Sequence, residues 1–264
     1  IGLLSFVCFW KPVLFPNTLL KRYIINPAIA AKISGIQNII GPGIGNQKKW
    51  LTTKVILDDK DWELSYSEQS QKFLKINNIK LNNPFPQIDL DIKRFNNQNE
   101  DLLKKGKKIA FGVDSFEDYK MWFEENFIEL ADLLYKKKLF DYIYLICGPE
   151  KAYISKKIIS KSGEKYFIDC STKDLTGVIT AIKNSDFFVG NNSGPLNLSS
   201  ALGVKTFGLI ANDAISELKF SKINFIVPDE YQDNTWIRDR NNMKTLTTDK
   251  VFKTLIERLA NESK

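Results

Sequence analysis

The chain has 264 residues, 43% of them hydrophobic and 26% charged, a balance that excludes disorder and suffices for two modest domains. The formal net charge is +7, but the lysines are scattered without the aromatic interleaving of a nucleic-acid groove, so no nucleic-acid partner is expected. There is no histidine, which excludes a Ser-His-Asp triad and most zinc sites and leaves acid–base chemistry to carboxylates, lysines or tyrosines.

The apolar stretch at residues 1–10 lacks a basic leader and a small-residue cleavage site, and no run approaches the roughly 20 residues of a membrane span. Residues 2–9 suit a buried strand. Residues 18–34 suit a helix broken at Asn26-Pro27 and ended by Gly35, and 36–40 a short strand before the glycine-rich turn at 41–45. That turn does not open a helix, so it is not expected to be a phosphate loop. Residues 50–58 are expected to be extended, and 64–77 to form an amphipathic helix closed by Asn82-Asn83-Pro84. Residues 96–107 are polar without an apolar period and suit a linker. The expected division is therefore 1–95, 96–107 and 108–264.

From residue 108 strands and helices alternate. Strands are predicted at 108–113, 141–147, 166–169, 187–189, 204–210 and 224–227. Helices are predicted at 124–137, with Phe127, Leu130, Ala131 and Leu134 on one face, then at 150–160, 175–182, 195–202 and 248–259. This alternation implies a doubly wound parallel sheet, α/β in class. Cys8, Cys147 and Cys170 show no paired spacing and are expected to be reduced, in a cytoplasmic setting.

Ligands of such sheets sit outside the strand carboxyl ends, where three loops should converge. The first runs from Gly112 through Asp114 and Ser115 to Lys120 and Trp122. The second is Gly148-Pro149-Glu150. The third is Gly190-Asn191-Asn192-Ser193-Gly194-Pro195, continuing to Leu196 and Asn197. Ser193 or Gly194 suits an N-cap and Pro195 the first helical turn, so bare N–H groups would face the loop and favour a phosphate. Lys120 suits a diphosphate or is an ordinary surface lysine, and Trp122 reads as a packing residue. Glu150 suits a ribose diol or serves only as a charge at a helix N-terminus. Asp213 and Glu217 suit hydroxyl groups or are solvated loop charges. The polar segment at 229–240 is placed to fold over the cleft.

Gly190, Asn191, Ser193, Gly194, Pro195, Ala201, Leu202, Gly203 and Val204 carry a resemblance to glycosyltransferase family 9, the ADP-heptose:lipopolysaccharide heptosyltransferases. Asn192 stands where the family signature has Asp, and Asn197 where it has His. Lys120-Met121-Trp122-Phe123 resembles the family's Lys-Arg/Lys-Trp-Pro element, whose lysine contacts donor phosphate, and Cys147-Gly148-Pro149-Glu150 resembles Gly-Gly-Pro-Glu. The resemblance covers roughly residues 26–264.

It implies a GT-B-like fold, with a Rossmann-like C-terminal domain that binds the nucleotide sugar and an incomplete N-terminal Rossmann-like domain on the acceptor side. It also implies an inverting glycosyltransferase, without metal or other cofactor, that moves a sugar from a nucleotide-diphosphate sugar to lipopolysaccharide or a related lipid-linked glycan. Such an enzyme works at the cytoplasmic face of the inner membrane, where peripheral contact with the anionic surface is expected. The implied donor-binding residues are Ser115, Lys120, Gly148, Glu150, Asn191, Asn192, Ser193, Gly194, Pro195, Leu196 and Asn197. No catalytic residue is assigned, because the family's acidic base lies in an N-terminal region without a counterpart here. The expectation is donor binding without sugar transfer by this chain alone. A non-catalytic nucleotide- or glycan-binding relative, favoured by Asn192 and Asn197, and a GT-B-like sugar-nucleotide epimerase remain open.

Overall fold

In a computed structural model the described residues are 28–43, 48–52, 56–58, 60–61, 64, 66–80, 83, 85–91, 99–218, 221–233 and 236–261. The chain divides into two compact units, Ile1–Pro84 and Phe85–Lys264.

In the first unit residues 28–33 are helical. Gly35, at φ +75°, ends the turn, and the Ile36 N–H returns to the Ala31 carbonyl at 3.0 Å. Ala28, Ala31, Ile39 and Leu51 form a small buried cluster. The strand expected at 36–40 is not formed beyond a single bridge at Ile40. The Ile39 backbone is instead taken up by one residue. Its N–H donates to Thr52 Oγ1 at 2.8 Å, and its carbonyl accepts from the Thr52 N–H at 2.8 Å and hydroxyl at 3.0 Å. The described part of 50–58 contains no strand. Helix α1, Tyr66–Ile76, buries Phe73. The strand expected at 2–9, the helix at 18–27 and the end of the turn at 44–45 lie outside the described residues.

The second unit is built on six parallel strands: β1 Lys108–Gly112, β2 Tyr142–Ile146, β3 Phe167–Asp169, β4 Phe187–Asn191, β5 Lys205–Leu209 and β6 Ile223–Ile226. Their order is β3-β2-β1-β4-β5-β6. The strands alternate with α2 Glu124–Lys136, α3 Ala152–Ser162, α4 Leu175–Lys183 and α5 Gly194–Ala201, and α6 Thr248–Asn261 follows β6. The doubly wound sheet expected from the alternation is therefore present. Side chains of consecutive strand residues point to opposite faces, which divides the core in two. Ile109, Phe111, Ile143, Leu145, Phe187 and Val189 pack with α2, α3 and α6, whereas Ala110, Tyr144, Ile146 and Phe188 pack with α4 and α5. Leu102, inside the stretch expected to be a linker, is fully buried in the second of these clusters.

Two elements differ from expectation. Helix α3 is preceded by a 3-10 turn at Pro149–Lys151 and runs on to Ser162, where Gly163 at φ +67° ends it. Strand β4 does not stop at Val189 but continues through Gly190 and Asn191. It can continue because Gly190 pairs in register with Gly112 of β1. A Cβ on Gly190 would lie 2.7 Å from the Gly112 carbonyl oxygen, and one on Gly112 would lie 2.5 Å from Phe188 Cζ. The two glycines form a notch that the buried Phe188 ring fills.

Cys147 and Cys170 are buried and unpaired, and burial pushes both thiols up to about 12. The thiolate is the reactive form. Site-mapped labelling at neutral pH should therefore modify both far more slowly in native protein than in urea, and equal rates would contradict their burial. Among the described residues no helix is long and apolar enough to cross a membrane.

Candidate functional site

β1 and β4 are neighbours, but their chains leave towards opposite faces, β1 to α2 and β4 to α5. This is the topological switch point of an open α/β sheet, where a crevice opens at the carboxyl ends. The three loops expected to converge are bonded to one another there. Ser115 Oγ donates to the Asn192 carbonyl at 2.7 Å, and the Trp122 N–H donates to Asn191 Oδ1 at 2.9 Å. The Gly148 N–H donates to Asp114 Oδ2 at 2.7 Å. Burial of Asp114 pushes its carboxyl up, against the lowering effect of that bond. Lys151 Nζ ties the first loop to the second, donating to the Ser115 carbonyl at 2.7 Å and to Asp118 Oδ1 at 2.5 Å.

Helix α5 starts from an extended Ser193, at φ −155°, whose side chain makes no capping bond. Pro195 has no N–H to offer, and the other leading N–H groups have no acceptor within the helix. A Cβ on Gly194 would meet nothing within 4 Å, so this helix end is open. Its partial positive charge is joined by Lys120, on the 3-10 turn Asp118–Lys120. Lys120 Nζ lies 2.6 Å from Glu117 Oε2 and 3.4 Å from Asp213 Oδ1. Burial pulls the ammonium pKa down, but the Glu117 hydrogen bond and the Asp213 charge outweigh it and raise the pKa. Asp213 Oδ2 accepts from Asn192 Nδ2 at 2.7 Å. Three buried side-chain atoms of this region, Asn191 Nδ2, Ser193 Oγ and Asp213 Oδ1, have no hydrogen-bond partner. Buried polar atoms are nearly always satisfied, so a cluster of exceptions marks a place built to receive a polar ligand or water. A helix N-terminus with a lysine beside it suits an anion.

The residues singled out from sequence divide into those that offer groups to the crevice and those that shape it. Lys120, Ser193, Gly194 and the Leu196 backbone belong to the first set. The Leu196 side chain is fully buried beside Gly208. Ser115, Gly148 and Asn191 have bonds committed to neighbouring loops, and Pro195 fixes the helix start. Asn192 is held by Asp213. Asn197 Nδ2 donates to the Ser193 carbonyl, and Asn197 Oδ1 accepts from Ser221 Oγ, both at 3.3 Å. Glu150 is exposed on its 3-10 turn, on the carboxyl side of β2. Trp122 is fully buried, as a packing residue should be.

The segment before α6 does fold onto the Lys120 loop. Arg240 Nε donates to the Met121 carbonyl at 3.2 Å, and its guanidinium lies 4.6 Å over the Phe123 ring. Asn212 Nδ2 donates to the carbonyls of Tyr119 and Asp239. Glu117 was missed from sequence, although its three-residue spacing from Lys120 was a usable signal. Past Ala211 lies a cavity of about 400 Å³, lined by Pro228, Asp229, Glu230, Tyr231 and Asn242 among others, whose Tyr231 hydroxyl donates to the Asp213 carbonyl at 2.7 Å.

The family model of glycosyltransferase family 9 (heptosyltransferase) matches residues 28–253. The chain belongs to glycosyltransferase family 9. Among solved structures, ADP-heptose LPS heptosyltransferase II of E. coli superposes with a TM-score of 0.70 at 16% identity, covering 91% of this chain and 75% of that one. The family 9 glycosyl transferase of Veillonella parvula gives a TM-score of 0.60 at 13% identity, covering 87% of this chain and 76% of that one. E. coli heptosyltransferase WaaC, solved with ADP, gives 0.54 at 20% identity, covering 81% of this chain but 61% of its own length. At these identities the likeness establishes the fold, a parallel α/β fold of the GT-B-like heptosyltransferase kind. No curated protein matches the chain significantly.

Proposed function

We propose that this family 9 glycosyltransferase binds a nucleotide-diphosphate sugar in the crevice between β1 and β4 and donates the sugar to lipopolysaccharide or a related lipid-linked glycan. The observation that carries the proposal is Lys120 paired with Asp213, which holds Asn192 just ahead of the open N-terminus of α5, beside the buried Asn191 Nδ2 and Ser193 Oγ, which have no hydrogen-bond partner. WaaC has been solved with ADP and with ADP-2-deoxy-2-fluoro heptose, which supports a nucleoside diphosphate as the common element of the ligand.

Sugar transfer breaks the bond between the anomeric carbon and a diphosphate oxygen. It forms a bond to an acceptor hydroxyl oxygen, whose proton passes to a carboxylate base on the acceptor side, a group that the family resemblance matches to no residue of this chain. Inversion follows from attack opposite the leaving diphosphate. Negative charge grows on the leaving oxygen, and a lysine with a helix N-terminus stabilises it most in a fixed, water-poor site. Lys120 and the N–H groups of Gly194 and Leu196 take that role. Ser115, Asn191 and Asn192 hold the loops, and Glu150, exposed on its turn after β2, takes the ribose hydroxyls. The acceptor binds at the cytoplasmic face of the inner membrane.

Lys120→Ala is expected to weaken nucleoside diphosphate binding by about 1.5–3 kcal/mol, tenfold or more, for the loss of one charge-assisted hydrogen bond. Calorimetry with ADP and with UDP measures this, alongside a melting curve to show that the variant is folded. Equal affinity in a folded variant would take Lys120 out of the site.

A further inference from the structure

We infer that Asp213 sets the charge of this crevice so that it holds a nucleoside diphosphate ester in preference to the free nucleoside diphosphate. The inference rests on the donor-site proposal above.

Asp213 follows β5 and is 3% exposed. It is fixed on several sides. Oδ2 accepts from Asn192 Nδ2 at 2.7 Å, the backbone carbonyl accepts from Tyr231 Oη at 2.7 Å, and Oδ1 faces Lys120 Nζ at 3.4 Å as a charge contact without a hydrogen bond. Glu117 already binds the same ammonium at 2.6 Å. Two carboxylates therefore surround one ammonium, with Arg238 as a further positive charge on the Glu117 side, and the trio itself is net negative before any ligand arrives. That is an unusual setting for a phosphate, and the two carboxylates differ in how they can respond. Glu117 is 39% exposed at its side chain and sits one helical turn from Lys120, so it can rotate into solvent and leave the ammonium to a phosphate. Asp213 has no such exit, and a phosphate that reaches Lys120 also meets its carboxylate.

The repulsion then depends on the charge of the ligand's terminal phosphate. In a sugar ester that phosphate carries one ionised oxygen. In the free diphosphate it carries a second ionisable oxygen, largely deprotonated at neutral pH because its pKa is near ~6. The extra charge appears at the end of the diphosphate where the sugar was attached. A buried carboxylate a few ångströms away disfavours it strongly, because like charges interact more in a poorly solvated site than in water. Asp213 thus favours the donor over the spent nucleotide and helps the product leave. Asn192 completes the device. Its amide donates to Asp213 Oδ2 and holds the carboxylate in place.

Calorimetry tests the idea on the whole chain with two matched pairs, ADP with ADP-glucose and UDP with UDP-glucose. Wild type should bind the ester at least as tightly as the free diphosphate of the pair it accepts. Asp213→Asn should raise affinity for the free diphosphate about tenfold, since a like charge at this range is worth one pKa unit or more, and affinity for the ester by clearly less. Asp213→Ser, which keeps an acceptor for Asn192 without the charge, should shift the ratio the same way. Glu117→Gln should shift it less, because Glu117 already moves aside. If wild type binds neither pair, the donor-site proposal fails and the inference fails with it. A wild type that binds the free diphosphate tenfold more tightly than its ester overturns the inference alone, as does an unchanged ratio in a folded Asp213 variant.

Discussion

Trp122→Ala is expected to leave the second unit barely stable or unfolded at room temperature. The indole is fully buried, packs edge-on against Phe127 with ring centroids 5.1 Å apart, and donates from Nε1 to the Leu246 carbonyl at 2.7 Å. Removing a buried tryptophan costs about 3–5 kcal/mol, and the Leu246 carbonyl, left without its donor, adds about 1–3 kcal/mol. Domains of this kind have only about 5–15 kcal/mol in total. The bond from the Trp122 backbone N–H to Asn191 Oδ1 survives the substitution, so the crevice is disturbed only as far as the unpacked loop shifts. Urea denaturation followed by circular dichroism measures the loss, and Trp122→Phe, which keeps most of the volume, should fall between wild type and alanine. An unchanged midpoint for Trp122→Ala would mean that the indole is not in this core.

Gly190→Ala is the second large effect, from a single methyl group. The added Cβ would lie 2.7 Å from the Gly112 carbonyl oxygen and 2.8 Å from Gly112 Cα, both backbone atoms of the neighbouring strand. Neither can rotate away, so β1 and β4 must separate at the point where the crevice begins. Overpacking of this kind costs about 1–3 kcal/mol. The same denaturation measurement checks it, with Gly194→Ala as a contrast. There the methyl group meets nothing within 4 Å, so stability should stay at the wild-type level while nucleotide affinity falls, because a side chain would stand between helix α5 and the phosphate. Wild-type stability in Gly190→Ala would show that the strands are not apposed as described.

The contrast between the two glycines shows where sequence reading succeeds and where it stops. The strand–turn–helix unit around Gly190 to Gly203 was legible because every signal in it is local: an apolar run, Pro195 in the first helical turn, and Gly203 past the last one at φ +74°. The alternation after residue 108 likewise gave six parallel strands within a residue or two of their ends. The extension of β4 through Gly190 and Asn191 was not legible, because it depends on pairing with Gly112, some 80 residues earlier, and with Gly208 and Leu209 of β5. The strand missing at 36–40 fails for the complementary reason, since Thr52 takes the Ile39 backbone groups that a partner strand would need.

The candidate site follows the same division. Lys120, Ser193 and Gly194 could be named from local chemistry and from the family resemblance. Asp213 could be named as a loop carboxylate, but not its contact with Lys120, because it arrives from another strand, whereas the local spacing of Glu117 from Lys120 was there to be read. Strand order decides which loops meet, and no local pattern encodes the order β3-β2-β1-β4-β5-β6.

A crystal structure of the chain with ADP, or with UDP if that binds better, tests the central claim most directly. The diphosphate should lie at the N-terminus of α5, with phosphate oxygens at hydrogen-bond distance from the Leu196 N–H and from Lys120 Nζ, and with Glu117 turned away from the lysine. A nucleotide seated instead in the cavity beside Pro228 and Tyr231, with the Lys120–Glu117 pair intact, would contradict it.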